Sequence, residues 1–370
     1  MRRHLIPLLI IACLAGAAPG EPLPTRIEPG ADKIQLLGAW TEDFRAAWTG
    51  TGLRFRTDAT AANLLMRDHA PGGAHPNKGN RNNYLAIQID DGEPAVLSLE
   101  RGVERYPIAG LDGRPHTVTV FKRTEPLFGP ITFKGLELPA GAALLDPPPP
   151  AKVRMQVIGD SISAGYGNEA GGPKVSFKHC EENGWMTYWA IAARRLGTDG
   201  RCAAWSGLGV YRDRKGNTTG QLPDLWRLAL PGKETAPERD GAAWRPTLVV
   251  INLGTNDIAR GIPDAKAFTD AYRRLIADVR TTSPDATIYC VFGPMITPTQ
   301  HGAIRTCLET IAADDDRIHV VDLTNPHGLD GAGSHWHPNV RAHTTMAGQL
   351  LEAIRATQAA GPAPATAPTP

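Results

Sequence analysis

Four consecutive prolines, Pro147 to Pro150, split this chain into two regions with different hydrophobic patterns. A proline run offers no backbone donors and cannot lie inside a helix or a sheet ladder, so it reads as a linker. Before it, short apolar–polar alternations are separated by turn residues. Examples are Gly52-Leu-Arg-Phe-Arg-Thr57, Tyr84-Leu-Ala-Ile-Gln-Ile-Asp90 followed by Asp91-Gly92, and His116-Thr-Val-Thr-Val-Phe-Lys122. Repeated period-two segments of this kind predict an all-β sandwich over residues 30–146, with no long helix. After the linker, Val153–Ile158, Thr247–Leu253, Ala286–Phe292 and Ile318–Leu323 are β-branched apolar runs suited to buried strands. Helical patterns at Trp185–Leu196, Ala265–Arg280, Ile304–Ala312 and Val340–Ala356 lie between and after them. That alternation predicts an α/β domain over residues 151–358, with a parallel sheet covered by helices on both faces.

The two ends read as segments outside the fold. Arg2-Arg3, the short apolar run Leu5 to Leu14 and Ala15-Gly16-Ala17 form a secretory signal over residues 1–20, too short to span a bilayer. A competing reading takes Ile10-Ile11-Ala12-Cys13 as a lipoprotein box that tethers the chain through Cys13. Either way the expected setting is secreted or periplasmic, with no membrane contact beyond a lipid anchor at the front. From Gly361 onward, a Pro/Ala/Thr tail cannot build a core. Export would leave Cys180, Cys202, Cys290 and Cys307, an even number compatible with two disulfides. Cys180–Cys202 with Cys290–Cys307 is the simplest pairing, and buried free thiols are the alternative. A formal charge of +1 argues against nucleic acid as a partner, and the chain is expected to be a monomer.

Four short blocks carry the chemistry, each at a strand end or just before a helix. In Val157-Ile-Gly-Asp-Ser-Ile-Ser-Ala-Gly-Tyr166 a buried strand stops at Gly-Asp-Ser, which exposes Ser161 in the crevice where open α/β sheets bind ligands. Ser161 is the candidate nucleophile; a plain helix N-cap is the alternative, and Ser163 competes with it. The small-residue turn Ala203-Ala-Trp-Ser-Gly-Leu-Gly209 could aim the N–H of Gly207 at a developing oxyanion, with Gly209 as its rival. Leu248-Val-Val-Ile-Asn-Leu-Gly-Thr-Asn-Asp257 offers the Asn256 side-chain amide as a second donor, while Asp257 reads as a residue that orders the loop. Gly333-Ser-His-Trp-His-Pro-Asn339 supplies His337 as general base, with His335 and His343 as alternatives. His335 and His337 could also form a metal pair, but no third ligand stands at a suitable spacing.

Taken in the order Ser, Gly, Asn, His, these blocks resemble the SGNH (GDSL-type) hydrolases. The resemblance extends to carbohydrate esterase family 2 through Gln35-Leu-Leu-Gly38, Asp90-Asp-Gly92, His116-Thr-Val, Lys122-Arg-Thr-Glu125, Ser206 to Arg212 and Trp336-His-Pro-Asn339. It implies a flavodoxin-like SGNH hydrolase domain preceded by a jelly-roll domain. It also implies a serine esterase that removes acetyl groups from plant polysaccharides such as xylan or glucomannan. By position, Ser161 matches the nucleophile, Gly207 and Asn256 the oxyanion donors, and His337 the base, with Trp336 and more weakly Tyr211 as sugar contacts.

The chain departs from the pattern at one point. The positions two and three before His337 hold His335 and Ser334 instead of an aspartate. Either Asp330 or a backbone carbonyl is then left to orient the ring. No cofactor is required, and the expected partner is an acetylated poly- or oligosaccharide. A carbohydrate-binding protein with an inert hydrolase domain is the rival reading, and an esterase for bacterial wall glycans or lipid esters is a further one.

Overall fold

Alternating side chains in the front region are sorted into the two faces of a jelly-roll sandwich, and every strand pairing in it is antiparallel. The computed structural model describes residues 24–360 except 72–73, 76–78, 233–234 and 239–243. The predicted leader over residues 1–20, Cys13 and the tail from Gly361 lie outside the described residues. One sheet runs Thr25–Ile27, Ile131–Leu138, Ala62–Asp68 and Arg105–Ile108. The other runs Leu144–Leu145, Gly52–Thr57, His116–Lys122, Tyr84–Ile89 and Ala95–Ser98. Leu53, Phe55, Val118 and Val120 from the second sheet meet Leu64, Met66, Phe133 and Leu136 from the first in one buried core. Among the described residues, the only helical element between 30 and 145 is a short 3-10 turn at Pro126–Phe128.

The sandwich does not stand apart from the α/β domain. Phe121, near the end of its strand, leaves the sandwich core and packs edge-on against Trp185 with ring centroids 5.2 Å apart. It also stacks on Trp189 at 6.1 Å. This explains why the alternation of His116–Lys122 fades into continuous burial toward its end: both faces of the strand are covered. Gly184 donates its N–H to the Arg123 carbonyl at 2.9 Å and brings the two regions into backbone contact.

Beyond the linker, the apolar runs form a five-stranded parallel sheet: β1 (Arg154–Gly159), β2 (Asp199–Ala204), β3 (Leu248–Asn252), β4 (Thr287–Phe292) and β5 (Ile318–Asp322). The helices that matter for the site and the two cores are α1 (Ser161–Ala164), α2 (Tyr188–Leu196), α3 (Ala265–Thr282), α4 (Pro298–Ala312) and α5 (Val340–Ala360), with a further short one at Leu222–Leu225. Strand order β2-β1-β3-β4-β5 is that of a flavodoxin-like sheet. Successive side chains of β1 and β3 face opposite cores. Val157 and Val250 pack with α2 and α5, while Ile158, Val249 and Ile251 pack with α3 and α4.

Three expectations from the sequence change. The strand β2 stands outside the four apolar runs because it is an edge strand whose first half, Asp199-Gly-Arg, is only partly buried. Helix α4 starts at Pro298 and not at Ile304, since Thr297 and Gln300 form a reciprocal capping box with proline in the first turn. The cysteines form no disulfides: Cys180, Cys202, Cys290 and Cys307 are all free. Cys202 and Cys290 are buried in different cores on either side of the sheet, where they act as small apolar side chains. Burial pushes the Cys290 thiol up to about 12, which makes it unreactive.

The junction gives a test of this packing. A methyl group on Gly184 would sit 2.1 Å from Thr49 Cγ2 and 2.9 Å from the Arg123 carbonyl oxygen, whereas one on Gly171 would meet nothing within 4 Å. Gly184→Ala is therefore expected to cost about 1–3 kcal/mol in thermal or denaturant unfolding, and Gly171→Ala little. Equal Tm values for the two variants would contradict this docking of the two domains.

Candidate active site

Ligands bind to sheets of this order at the point where the strand order reverses, here between β1 and β3. Two of the four blocks leave the sheet at that point: Ser161 follows β1 and Asn256 follows β3. Asp160 caps α1 by accepting the N–H of Ile162 at 3.0 Å, which places Ser161 at the first helical position. The other two blocks arrive from β2 and from the loop before α5.

The histidine loop is stitched to the serine loop by backbone contacts. The Gly167 carbonyl accepts the N–H of Ser334 at 3.0 Å, and Ser334 Oγ donates to the Val175 carbonyl at 2.8 Å. The fit leaves no room for side chains: a Cβ on Gly333 would lie 2.3 Å from the Gly167 carbonyl oxygen. His335 and Trp336 both adopt left-handed backbone conformations, with φ of 51° and 68°. Such conformations cost of order 1–3 kcal/mol each and survive only where surrounding contacts impose them. After this bend, the His337 side chain faces the serine, while Trp336 stays 57% exposed.

His337 Nε2 lies 2.8 Å from Ser161 Oγ, across 176 positions of sequence. On its other side, Nδ1 lies 3.1 Å from the Ser334 carbonyl oxygen, which also accepts the His337 backbone N–H at 3.1 Å. A carbonyl can only accept, so Nδ1 carries the proton and Nε2 is left to accept from the serine. Asp330 does not orient the ring: the Nδ1 position it would need is taken by the Ser334 carbonyl, and its own carbonyl accepts from Asn339 Nδ2 at 2.8 Å. Burial pushes His337 down to about 4, against the weaker opposing pull of the Ser334 carbonyl.

The competing residues are committed elsewhere. Ser163 Oγ is buried against Tyr188 Oη at 2.9 Å, and His343 is buried with Nδ1 accepting the Tyr188 N–H at 3.2 Å. His335 is exposed and bonds through Nδ1 to Tyr166 Oη at 3.0 Å. The Gly209 N–H donates to Gln221 Oε1 at 3.0 Å. The N–H groups of Gly207 and Ser161, by contrast, donate to nothing among the described residues. Asn256 Nδ2 donates to the Leu208 carbonyl at 2.8 Å and, over a longer 3.2 Å, to Asp160 Oδ2. One amide thus joins the serine turn to the Gly207 turn.

Asp257 orders the loop as expected, accepting the backbone N–H groups of Val210, Tyr211 and Arg212 at 2.8–3.2 Å. Tyr211 is itself half-buried by this arrangement and packs against the core below α3. Tyr166 lies against the His337 ring, with centroids 4.5 Å apart, and stacks on Phe177 at 4.0 Å.

Sequence reasoning gave no role to Glu125 or Tyr166, and of its two partners for His337 the backbone carbonyl is the one found, that of Ser334. Glu125 is fully buried at the junction with the sandwich, and both of its carboxylate oxygens accept from Ser206, the residue before Gly207. Burial raises it to about 7 despite those bonds, and burial raises Asp160 to about 7 as well. No sequence signal marks a carboxylate so far from the block it supports, whereas Tyr166 stood within the Ser161 block. No group of three or more His, Cys, Asp or Glu that could hold a metal ion occurs among the described residues. No helix among them is long and apolar enough to cross a membrane.

Chemically, a hydroxyl held by a neutral imidazole beside unengaged N–H groups can attack a carbonyl carbon and shelter the negative oxygen that results. Residues 157–349 match the GDSL-like lipase/acylhydrolase family, and residues 39–148 match the carbohydrate esterase 2 N-terminal family. The chain is similar to the cellulase/esterase CelE of Acetivibrio thermocellus, at 32% identity over 84% of this chain; it spans only 37% of that relative's length. It is 26% identical to an acetylxylan esterase/glucomannan deacetylase of Cellvibrio japonicus, over 76% of this chain and 78% of that one. Among solved structures, a family two carbohydrate esterase from Clostridium thermocellum in complex with cellohexaose superposes with a TM-score of 0.78 at 29% identity. It covers 88% of this chain and 99% of that one.

The depressed His337 value has a direct readout. Its ordinary value is 6.5, so a folded value near 4 means that the native state resists protonation throughout the range between them. NMR of the ring nitrogens is expected to show the neutral Nδ1–H tautomer persisting down to about pH 5. Protonation near 6.5 in the folded protein would contradict the buried geometry.

Proposed function

The chain belongs to the GDSL-like lipase/acylhydrolase family, and from that premise we propose that it is a serine esterase that removes O-acetyl groups from plant polysaccharides such as xylan or glucomannan. The observation that carries this reading is the 2.8 Å contact between Ser161 Oγ and His337 Nε2 at the switch point of the sheet. The carbohydrate esterase 2 front domain and the acetylxylan esterase relatives support the substrate class. Export through the predicted leader suits a polymer substrate outside the cell.

In the proposed mechanism, His337 Nε2 takes the Ser161 proton as Oγ attacks the acetyl carbonyl carbon. The carbonyl oxygen becomes an oxyanion, held by the N–H groups of Ser161 and Gly207. Asn256 Nδ2 joins them by exchanging its long contact with Asp160 for one to the oxyanion. The tetrahedral species collapses as His337 returns the proton to the departing sugar oxygen, leaving acetyl-Ser161. Water, deprotonated by His337, then attacks the acetyl carbon; the bond to Ser161 Oγ breaks as His337 returns the proton to that oxygen, and acetate is released. The step needs no cofactor. The exposed indole of Trp336 beside the base suits stacking on a sugar ring, with Tyr211 as a weaker contact at the edge.

The test is acetate release from acetylated xylan, acetylated glucomannan and para-nitrophenyl acetate. Ser161→Ala is expected to lower kcat by about 10⁶-fold, to background, as loss of a catalytic serine does elsewhere. Asn256→Ala is expected to lower it by about 10²–10³-fold, the effect of losing one oxyanion donor. Trp336→Ala should raise KM on the polysaccharides and leave it unchanged on para-nitrophenyl acetate. Full activity in Ser161→Ala would overturn the proposal.

A further inference from the structure

We propose that Glu125 is a positioning residue through which the sandwich domain fixes the Ser206–Gly207 peptide and so aims the Gly207 N–H at the reacting oxygen. The inference rests on the esterase reading and adds a participant from outside the hydrolase domain. Gly207 sits at φ 90°, a conformation open to glycine, and glycine alone does little to hold a peptide plane in one orientation. An oxyanion donor works only if it is already aimed when charge develops. Something must therefore hold the turn.

Three hydrogen bonds, two on one side of the peptide and one on the other, do so. Glu125 Oε2 accepts the Ser206 N–H at 2.6 Å, and Oε1 accepts from Ser206 Oγ at 2.5 Å, so the whole carboxylate is spent on one residue. On the far side, the Gly207 carbonyl accepts the Arg214 N–H at 2.9 Å. The peptide between them is pinned while its own N–H is left unengaged.

Glu125 is in turn held rigidly. Its backbone N–H donates to Glu182 Oε1 at 2.6 Å. Lys122 Nζ donates to the Thr124 carbonyl at 2.6 Å and to the Thr124 hydroxyl and Glu125 carbonyl, each at 3.3 Å. Lys122, Arg123, Thr124 and Glu125 are all essentially inaccessible to solvent. Burying so many polar and ionisable groups at a domain junction is costly, and apolar packing would have served plain docking as well. Hydrogen bonds to a carboxyl group are short and directional, which is what positioning requires.

The test compares Glu125→Ala and Glu125→Gln with the wild-type chain on para-nitrophenyl acetate, alongside Ser161→Ala and thermal unfolding of each variant. Glu125→Ala is expected to lower kcat by about 10²-fold at unchanged KM, comparable to losing one oxyanion donor. Glu125→Gln keeps an oxygen for the Ser206 N–H, so it should recover to within about tenfold of wild type while remaining measurably slower. A purely structural residue would instead lower the folded fraction and leave the kcat of the folded molecules intact. If Glu125→Ala does not fold, Glu125→Gln decides: a lowered kcat at constant KM is expected, and wild-type kcat overturns the inference. A wild-type chain with no esterase activity overturns the esterase reading and this inference together. An active wild type matched by folded Glu125→Ala overturns this inference alone.

Discussion

The proposed chemistry depends throughout on one imidazole nitrogen held 2.8 Å from one serine oxygen, two groups 176 positions apart in sequence. A contact of that kind cannot be set locally. The parallel sheet sets its coarse position, since β1 delivers Ser161 to the crevice at the reversal of strand order. The fine position comes from backbone packing of the Gly333–Ser334 turn on Gly167, too close for any side chain to intervene. Strain at His335 and Trp336 is tolerated because these contacts over-determine the loop.

Among the described residues, His337 has no carboxylate behind it. A backbone carbonyl, that of Ser334, fixes the tautomer and the ring plane. It differs from an aspartate in charge: a carbonyl dipole stabilises an imidazolium less than an anion does, and burial then dominates and lowers the His337 value. In the proposed mechanism a weaker base is the consequence, and it places more of the burden on the donors around the oxyanion. Two buried carboxyls reach the segments that carry the proposed donors, Asp160 through Asn256 and Glu125 through Ser206.

Much of this was legible in the sequence because it rests on local pattern. The period-two segments before Pro147, the β-branched runs after it, and the Gly-Asp-Ser and Trp-His-Pro-Asn blocks each announce their structure within a few residues. What was hidden depends on contacts between distant segments. The edge strand β2 begins with polar residues, and the start of α4 was set by a capping box ahead of its apolar face. The four cysteines are free, which an even count along the chain cannot reveal. Glu125 sat within a family-like segment, yet nothing local says that it reaches Ser206. The absence of an aspartate near His337 left the ring's partner open, and a carbonyl has no sequence signature at all.

The sandwich is thus built into the site, sharing an aromatic core with α2 at Phe121 and Trp189 and sending a carboxylate to the Gly207 turn. The most direct measurement of the central claim is rapid-quench mass spectrometry of the chain mixed with excess para-nitrophenyl acetate. The expected result is one acetyl group on the peptide that carries Ser161, formed within the first turnover and absent in His337→Ala. An acetyl group on another residue, or turnover at the full rate with Ser161 never modified, would contradict the account.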